Sequence, residues 1–435
     1  MQVPFTKNTL ANGLDVIVHE DHRVPLVAVS VWYHVGSKNE RRGLTGLAHL
    51  FEHLMFEGSE HQPRGFFAPI QEAGGSLNGS TSTDRTNYWE LMPKSALRRA
   101  LWMEADRMGW LLPVLTRDRL DTQRGVVLNE RRQSYDNRPY GLAQFAVMEA
   151  LYPQDHPYQW PTIGRPADLE AATIDDIQGF FRRYYHPANA SLAIAGDVTV
   201  SEAMSLVTEI FGEIPAGEPV EPLAPVTPDP APVRLILEDR VELPRLYLSW
   251  ISPALFGAGD AELDLTADLV ANGRTSRLYK KLIHDERVAV ELAGSQTSRE
   301  LGGTFQIIAS AAPGRTLDEL EGMIRDELSS FLSHGPNAGD LERSRAEVEA
   351  AFLFRLESLG GFGGRADQLN SYNVQRGNPD GFDADLERYL AATPEGIRSV
   401  AAQWIDPARA ITLAVVPQGQ GARGLAGARP VVWTE

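Results

Sequence analysis

The sequence predicts an α+β fold built twice along one chain, and three observations carry that expectation. Strand-like and helix-like stretches mix without strict βαβ alternation, which favours α+β over a doubly wound sheet. Two pairs of segments repeat at almost one offset: residues 20–32 parallel 238–250, and 186–194 parallel 406–414, with Pro25 and Pro244 219 apart and Pro187 and Pro407 220 apart. Either match alone is weak, but two at nearly one spacing mark a duplicated unit of about 200 residues. Residues 215–232 hold seven prolines and divide the chain near its midpoint, because such a run favours extended backbone and joins neither a helix nor a central strand. The expected layout is a first α+β domain over 1–214, a Pro-rich linker over 215–232, a homologous domain over 233–417 and a Gly/Ala-rich tail over 418–435.

The elements follow from period and composition. Residues 16–19, 27–34 and 191–195 are β-rich runs, and 88–92 read as a further strand after the turn-rich 74–80. Helical periodicity spans 94–110, 117–135, 174–184, 317–333 and 340–356, and 273–279 opens another helix in the second domain. At 43% hydrophobic and 23% charged residues, the 435-residue chain has apolar material for more than one core. Its net charge of −17, spread along the sequence, reads as a solubility feature and argues against nucleic-acid or anionic-membrane partners. No run of 18 apolar residues exists, so no membrane span is expected. The absence of cysteine excludes disulfides, thiol nucleophiles and Cys-ligated metal sites. The first residues show no charged stretch followed by an apolar one, so the expectation is a soluble protein, with cytoplasm and periplasm left undecided.

The sharpest chemical signal is His49-Leu50-Phe51-Glu52-His53. On a helix His49 and His53 lie four apart on one face and can grip one metal ion, and Glu52 projects toward the same face. A carboxylate beside a metal-bound water can take its proton. His-x-x-Glu-His is a zinc-peptidase signature, the inverse of His-Glu-x-x-His. A catalytic zinc takes a third protein ligand. The helical pattern over 117–135 offers Glu130, with Gln123 one heptad earlier, but spacing alone does not select the third acid.

With 76 residues between His53 and Glu130, and with Val126-Val127-Leu128-Asn129-Glu130 around the acid, the sequence resembles the pitrilysin/insulinase/mitochondrial-processing-peptidase family of inverzincins. Residues 74–88 are similar to that family's active-site edge strand. The resemblance covers nearly the whole chain. It implies two homologous domains, each a mainly antiparallel sheet packed with helices, forming half of a clamshell chamber. It further implies one Zn2+ per chain held by His49, His53 and Glu130, with Glu52 as the general base activating the zinc-bound water. The strand around residues 76–82, with Ser76, Leu77, Asn78, Gly79 and Ser80, would take a peptide substrate as an added β-strand. Asn78 would help hold substrate or orient the base. Active members usually carry a second Glu seven residues before the ligand Glu; Gln123 stands there, supplying a hydrogen bond but no charge.

The second half has no His-x-x-Glu-His. It has Arg365 and Tyr372, seven apart, and the family uses such a pair to bind the substrate carbonyl and stabilise the oxyanion. The family's chamber needs four such domains and this chain supplies two. The resemblance therefore implies a homodimer, or a heterodimer with a related subunit, in which Arg365 and Tyr372 of one chain face the zinc of the other. The expected function is a zinc-dependent endopeptidase acting on peptides or unfolded segments. The alternative is a weakly active or non-catalytic partner subunit of a heteromeric peptidase.

Overall fold

Two six-stranded sheets carry the fold, one from each half of the chain. The structure, a computed structural model, describes residues 3–433; the outermost residues of the expected first domain and tail (1, 2, 434 and 435) lie outside the described residues. The first half runs β1 (Thr6–Thr9), β2 (Asp15–Glu20), β3 (Leu26–Tyr33), α1 (Leu47–Leu54), α2 (Phe67–Glu72), β4 (Ser76–Thr81), β5 (Thr86–Pro93), α3 (Leu97–Trp110), α4 (Arg117–Arg131), α5 (Ala143–Leu151), α6 (Pro166–Ala171), α7 (Ile174–Tyr184), β6 (Ala190–Gly196) and α8 (Val200–Phe211). Residues 215–232 have no regular structure. The second half runs β7 (Val233–Asp239), β8 (Arg245–Ser252), α9 (Asp260–Ala271), β9 (Ala289–Thr297), β10 (Gly303–Ala311), α10 (Leu317–His334), α11 (Ala338–Arg355), α12 (Arg365–Arg376), α13 (Phe382–Ala391), α14 (Pro394–Trp404), β11 (Ile411–Pro417) and β12 (Arg429–Pro430).

The first sheet has the order β1-β2-β6-β3-β5-β4 and the second β12-β7-β11-β8-β10-β9. In both, the second and third strands pair in parallel, and the other pairs are antiparallel except the short β12–β7 pair, which is parallel. β3 and β8 each begin one residue after the repeated prolines, Pro25 and Pro244. α7 and α14 both start from a threonine cap, Thr173 and Thr393, 220 residues apart.

The chain forms two compact units that exchange segments between the halves. The first unit comprises the residues up to Asn129 with Trp160–Pro222 and Ala351–Ala384; the second comprises Glu130–Gln159, Leu223–Ala350 and the residues from Asp385. In the first unit α12, from the second half, packs on β6 and β3. Ala366 and Leu369 bury against Ile17, Ala28, Ala193 and Ala195, and the three alanines let the helix approach the sheet closely. In the second unit α5, from the first half, packs on β11 and β8, with Ala143, Ala146, Val147 and Leu151 against Tyr247, Ile251, Leu413 and Val415.

Two local features differ from the sequence-based expectations. The helix expected over 117–135 stays α-helical to Arg131 and then widens into a π-turn, Arg132–Asp136. The segment expected as a tail is partly built into the second sheet: Arg429 and Pro430 pair in parallel with β7, and Leu425 is buried in the second core.

Candidate metal centre

α1 is set up by a left-handed glycine. Gly46 precedes it with φ 91°, and a Cβ there would meet Gly164 Cα at 2.9 Å and the Ile163 carbonyl at 3.1 Å, so only glycine fits. Leu47, Leu50, Phe51 and Leu54 bury one face of the helix. Phe51 packs its ring 5.4 Å from Phe181 and 5.1 Å from Tyr185, which ties α1 to α7.

His49 and His53 stand one turn apart with ring centroids 4.8 Å apart and planes nearly perpendicular. The third member comes from α4, which buries Leu120, Gln123 and Val127 and carries Glu130 in its last turn. Residues 117–129 of this helix belong to the first unit and Glu130 is the next residue, so the continuous helix fixes its place. One ligand atom from each of His49, His53 and Glu130 lies within 4.8 Å of the others. Two imidazoles and one carboxylate are the donor set of a catalytic zinc with a position left open, and the residues present fit that ion. The π-turn follows Glu130 by two residues, a type of irregularity frequent at functional sites.

Glu52, on the same helix, accepts a hydrogen bond at Oε2 from Thr81 Oγ1 at 2.7 Å. Thr81 ends β4, the edge strand of the first sheet; sequence reasoning placed it in the docking strand but missed its bond to Glu52. Side chains alternate along a strand, so Leu77, Gly79 and Thr81 share the face toward α1, while Ser76, Asn78 and Ser80 lie on the other. Asn78 is exposed there, its Oδ1 accepting from Gly79 N at 2.9 Å, and Ser80 donates to Asn87 at 2.8 Å. The backbone alternates too. Ser82 N donates to Arg85 O at 2.8 Å and closes the hairpin, so Ser80 and Asn78 direct their backbone groups inward to β5. Leu77, Gly79 and Thr81 then turn theirs outward at the sheet edge.

A buried ion cluster supports this strand. A Cβ at Gly79 would lie 2.9 Å from the Tyr88 ring and 3.0 Å from that of Phe56. The fully buried Arg107 guanidinium lies 3.8 Å from the Tyr88 ring centroid and 5.7 Å from that of Phe56, and its Nε donates to Glu104 at 2.9 Å. Burial, reinforced by Glu104, pushes the neighbouring Glu90 carboxyl well above the usual range. On the sheet's other face Arg85 donates to Ser80 O at 2.8 Å and sits over the Trp32 ring; burial lowers its pKa.

Gln123 is buried in α4, two turns before Glu130. Arg365 and Tyr372 both lie on α12 of the first unit and are largely buried, at 9% and 6% exposure. Arg365 Nη1 donates to Asp21 Oδ2 at 2.6 Å and is 2.9 Å from His19 Nε2. Hydrogen bonds from Arg23, and then from Arg365, hold Asp21 far below the carboxylate range. Burial lowers the His19 pKa, and the Arg365 charge adds to that effect.

This arrangement can be set beside known proteins. The zinc protease PqqE of Helicobacter pylori is 30% identical over 374 residues, which cover 84% of this chain and 84% of that protein. The chain belongs to peptidase family M16. Residues 15–163 match the model described as insulinase (peptidase family M16), and residues 171–348 match that of the peptidase M16 inactive domain. The first match contains His49, Glu52, His53 and Glu130, and the second begins at residue 171, still within the first half, and runs through most of the half without the motif. A solved protease from Helicobacter pylori superposes with a TM-score of 0.87 at 26% identity, covering 96% of this chain and all of that one. The periplasmic protease PqqL of Escherichia coli shares the fold at a TM-score of 0.80 and 18% identity; 97% of this M16 chain matches 49% of that longer one. Among the described residues no helix is long and apolar enough to cross a membrane.

Proposed function

We propose that this M16 chain is a zinc-dependent endopeptidase. The observation that carries the reading is the convergence of His49, His53 and Glu130 to within 4.8 Å beside Glu52, at the edge of a sheet with outward-facing backbone. His49, His53 and Glu130 would hold the ion. Zinc supplies Lewis acidity, polarising the scissile carbonyl and making water a better nucleophile at neutral pH. Glu52 takes the proton from the attacking water and returns it to the leaving amine, with the Thr81 hydroxyl fixing its carboxylate at Oε2. An extended substrate segment would pair with the backbone of Leu77, Gly79 and Thr81, a mode that reads main chain and tolerates varied side chains.

Arg365 and Tyr372 complete the reading in trans. We assign them to the partner chain's site of a homodimer or of a heterodimer with a related subunit, where guanidinium and phenol donors would meet the charge developing on the scissile carbonyl. The match of this chain to 49% of PqqL supports a half-sized subunit in need of a second one. In that assembly Asp21 and His19 hold the Arg365 side chain in place.

Metal analysis of the purified chain, with cleavage of a quenched fluorescent peptide before and after chelation, tests the proposal. About one zinc per chain and chelator-sensitive, zinc-restored cleavage are expected; a chain that binds no zinc and cleaves nothing overturns it. The second reading, a weakly active or non-catalytic partner subunit, is favoured by the neutral amide of Gln123 where active members usually carry a charged Glu. It predicts zinc binding without cleavage by the isolated chain, and cleavage once a related subunit is added.

A further inference from the structure

The start of α1 is capped from a distance. Gly46 has no side chain to satisfy the first backbone N–H groups of the helix, and no side-chain hydrogen bond comes from that position. The acceptor is Glu40, six residues upstream. Its Oε2 accepts from Gly46 N at 2.8 Å and its Oε1 from Ala48 N at 2.8 Å, so one carboxyl spans the first turn. Glu40 is only 8% exposed. A second carboxylate grips the preceding residue: Asp168 Oδ2 accepts from Thr45 N at 3.1 Å and from Thr45 Oγ1 at 2.6 Å. Thr45 Oγ1 in turn accepts from Arg165 N at 2.9 Å. Burial pushes the Glu40 carboxyl up to about 8, against the backbone N–H groups of Ala48, Gly46 and Leu47 that favour its ionised form.

Such an arrangement is more than a stop for fraying backbone. A surface helix needs only a Ser, Thr, Asp or Asn at its cap. Here a buried acid is held at the positive end of an eight-residue helix whose third residue is His49. The Ala48 N–H that Glu40 holds is immediately before His49, so any slip of the first turn moves that imidazole directly.

We infer that Glu40 is a positioning residue for the metal centre: by holding the Gly46 and Ala48 N–H groups it fixes the first turn of α1 and thereby the frame in which His49 and His53 meet Glu130. The inference rests on the metal-site reading above. A buried group that orients metal ligands typically changes affinity by about 10–100-fold when altered.

The test uses the full chain, stripped of metal by chelator and dialysis, as wild type, Glu40→Ala, Glu40→Gln and Glu40→Asp. Zn2+ affinity is measured by competition with a chromogenic chelator, and folding of the metal-free proteins by circular dichroism and thermal unfolding. Glu40→Ala is expected to weaken Zn2+ binding by about 10–100-fold in folded protein, with Glu40→Gln, which keeps one acceptor oxygen, between it and wild type. Glu40→Asp, which keeps both oxygens on a shorter stem, is expected to recover part of the loss. If Glu40→Ala does not fold, Glu40→Gln carries the test. Wild-type Zn2+ affinity in the folded Gln variant overturns the inference, whatever the change in melting temperature, because a purely structural cap would lower stability and leave affinity per folded molecule unchanged. A wild-type chain that itself binds no Zn2+ overturns the metal-site reading, an outcome distinct from equal binding by wild type and variants.

Discussion

The two sheets are copies that kept the same backbone and filled it differently. α1 and α9 both follow a left-handed glycine, Gly46 at φ 91° and Gly259 at φ 89°, and each runs beside an edge strand, β4 or β9. Three, six and seven residues past the glycine, the first copy has His49, Glu52 and His53, and the second has Glu262, Leu265 and Thr266. Leu265 and Thr266 are fully buried, and Thr266 spends its hydroxyl on the Glu262 carbonyl at 2.7 Å. Three of the carboxylates that α9 carries are committed: Asp260 accepts from Phe256 N, Arg388, Gln296 and Ser298, Asp264 from the Tyr389 hydroxyl at 2.7 Å, and Asp268 from the Ser344 hydroxyl at 2.5 Å. The two copies therefore share the cradle, while among the described residues the donor set that could bind an ion stands in the first alone. In the other, internal hydrogen bonds and an arginine took its place.

The largest effect that would break this contrast is expected at Glu52. Glu52→Gln should keep zinc stoichiometry by metal analysis and lower the turnover of a quenched peptide by about 10²–10⁴-fold, the usual contribution of a general base. His49→Ala should lose the metal as well. Matching substitutions in the second copy, such as Glu262→Gln, should leave turnover unchanged, and a comparable loss there would show that the copies share the chemistry. A mixture of Glu52→Gln and Arg365→Ala chains sharpens the assignment further. Verified mixed dimers that recover activity would place Arg365 in the partner's site, and no recovery would return it to a structural role with Asp21.

A smaller change, in the opposite direction, is expected at Gln123. Restoring a charged acceptor with Gln123→Glu should tighten Zn2+ binding by about 10–100-fold in a chelator competition, if the buried side chain acts on the ligands through their outer hydrogen bonds. Unchanged affinity would remove Gln123 from the metal's surroundings.

The edge strands give the next comparison. Gly79 of β4 and Gly294 of β9 both sit where a Cβ would strike the packed neighbour: the Tyr88 and Phe56 rings at 2.9 and 3.0 Å in one, the Ala271 Cβ at 2.5 Å in the other. Gly79→Ala and Gly294→Ala should each destabilise the protein by about 1–3 kcal/mol in chemical denaturation, the range for overpacking a core. Only Gly79→Ala should also raise KM for peptide, because only β4 is expected to receive substrate. Equal KM effects would mean that neither strand is the docking edge.

The contrast between the copies was partly legible before any coordinates. The His49–His53 spacing, the 76 residues to Glu130 and the repeated prolines are local or countable, and the strands Leu26–Tyr33 and Arg245–Ser252 start where those prolines put them. The exchange of α5 and α12 was not legible, because helical periodicity shows that a face is buried and is silent on which sheet buries it. Glu40 and the bond from Thr81 to Glu52 were missed for a related reason. A cap six residues upstream of its helix, and a hydroxyl one position past the expected docking residues, follow no sequence spacing rule and become visible only when the backbone brings them to Ala48 and Glu52. The binding of Arg365 by Asp21 and His19 joins residues more than 340 positions apart.

The smallest expected effect concerns what replaced the metal site. Burial pushes the Asp264 carboxyl up to about 7, outweighing the Tyr389 hydrogen bond that favours its ionised form. An unfolded Asp releases its proton near the ordinary value of 3.8, whereas folded Asp264 keeps it to about 7. Between those values the folded state binds the extra proton, so this group's contribution to stability falls as pH rises from about 4 to 7 and is level above that. Asp264→Asn, which keeps an oxygen for the Tyr389 hydroxyl and cannot titrate, should flatten the dependence of unfolding free energy on pH across that window. Urea denaturation of chelator-treated wild type and variant at pH 4, 5, 6 and 7 reads the difference without interference from metal binding. A wild-type slope that survives the substitution would mean that Asp264 is ionised in the fold, so that the second copy holds a true anion beside Tyr389 rather than a neutral acid.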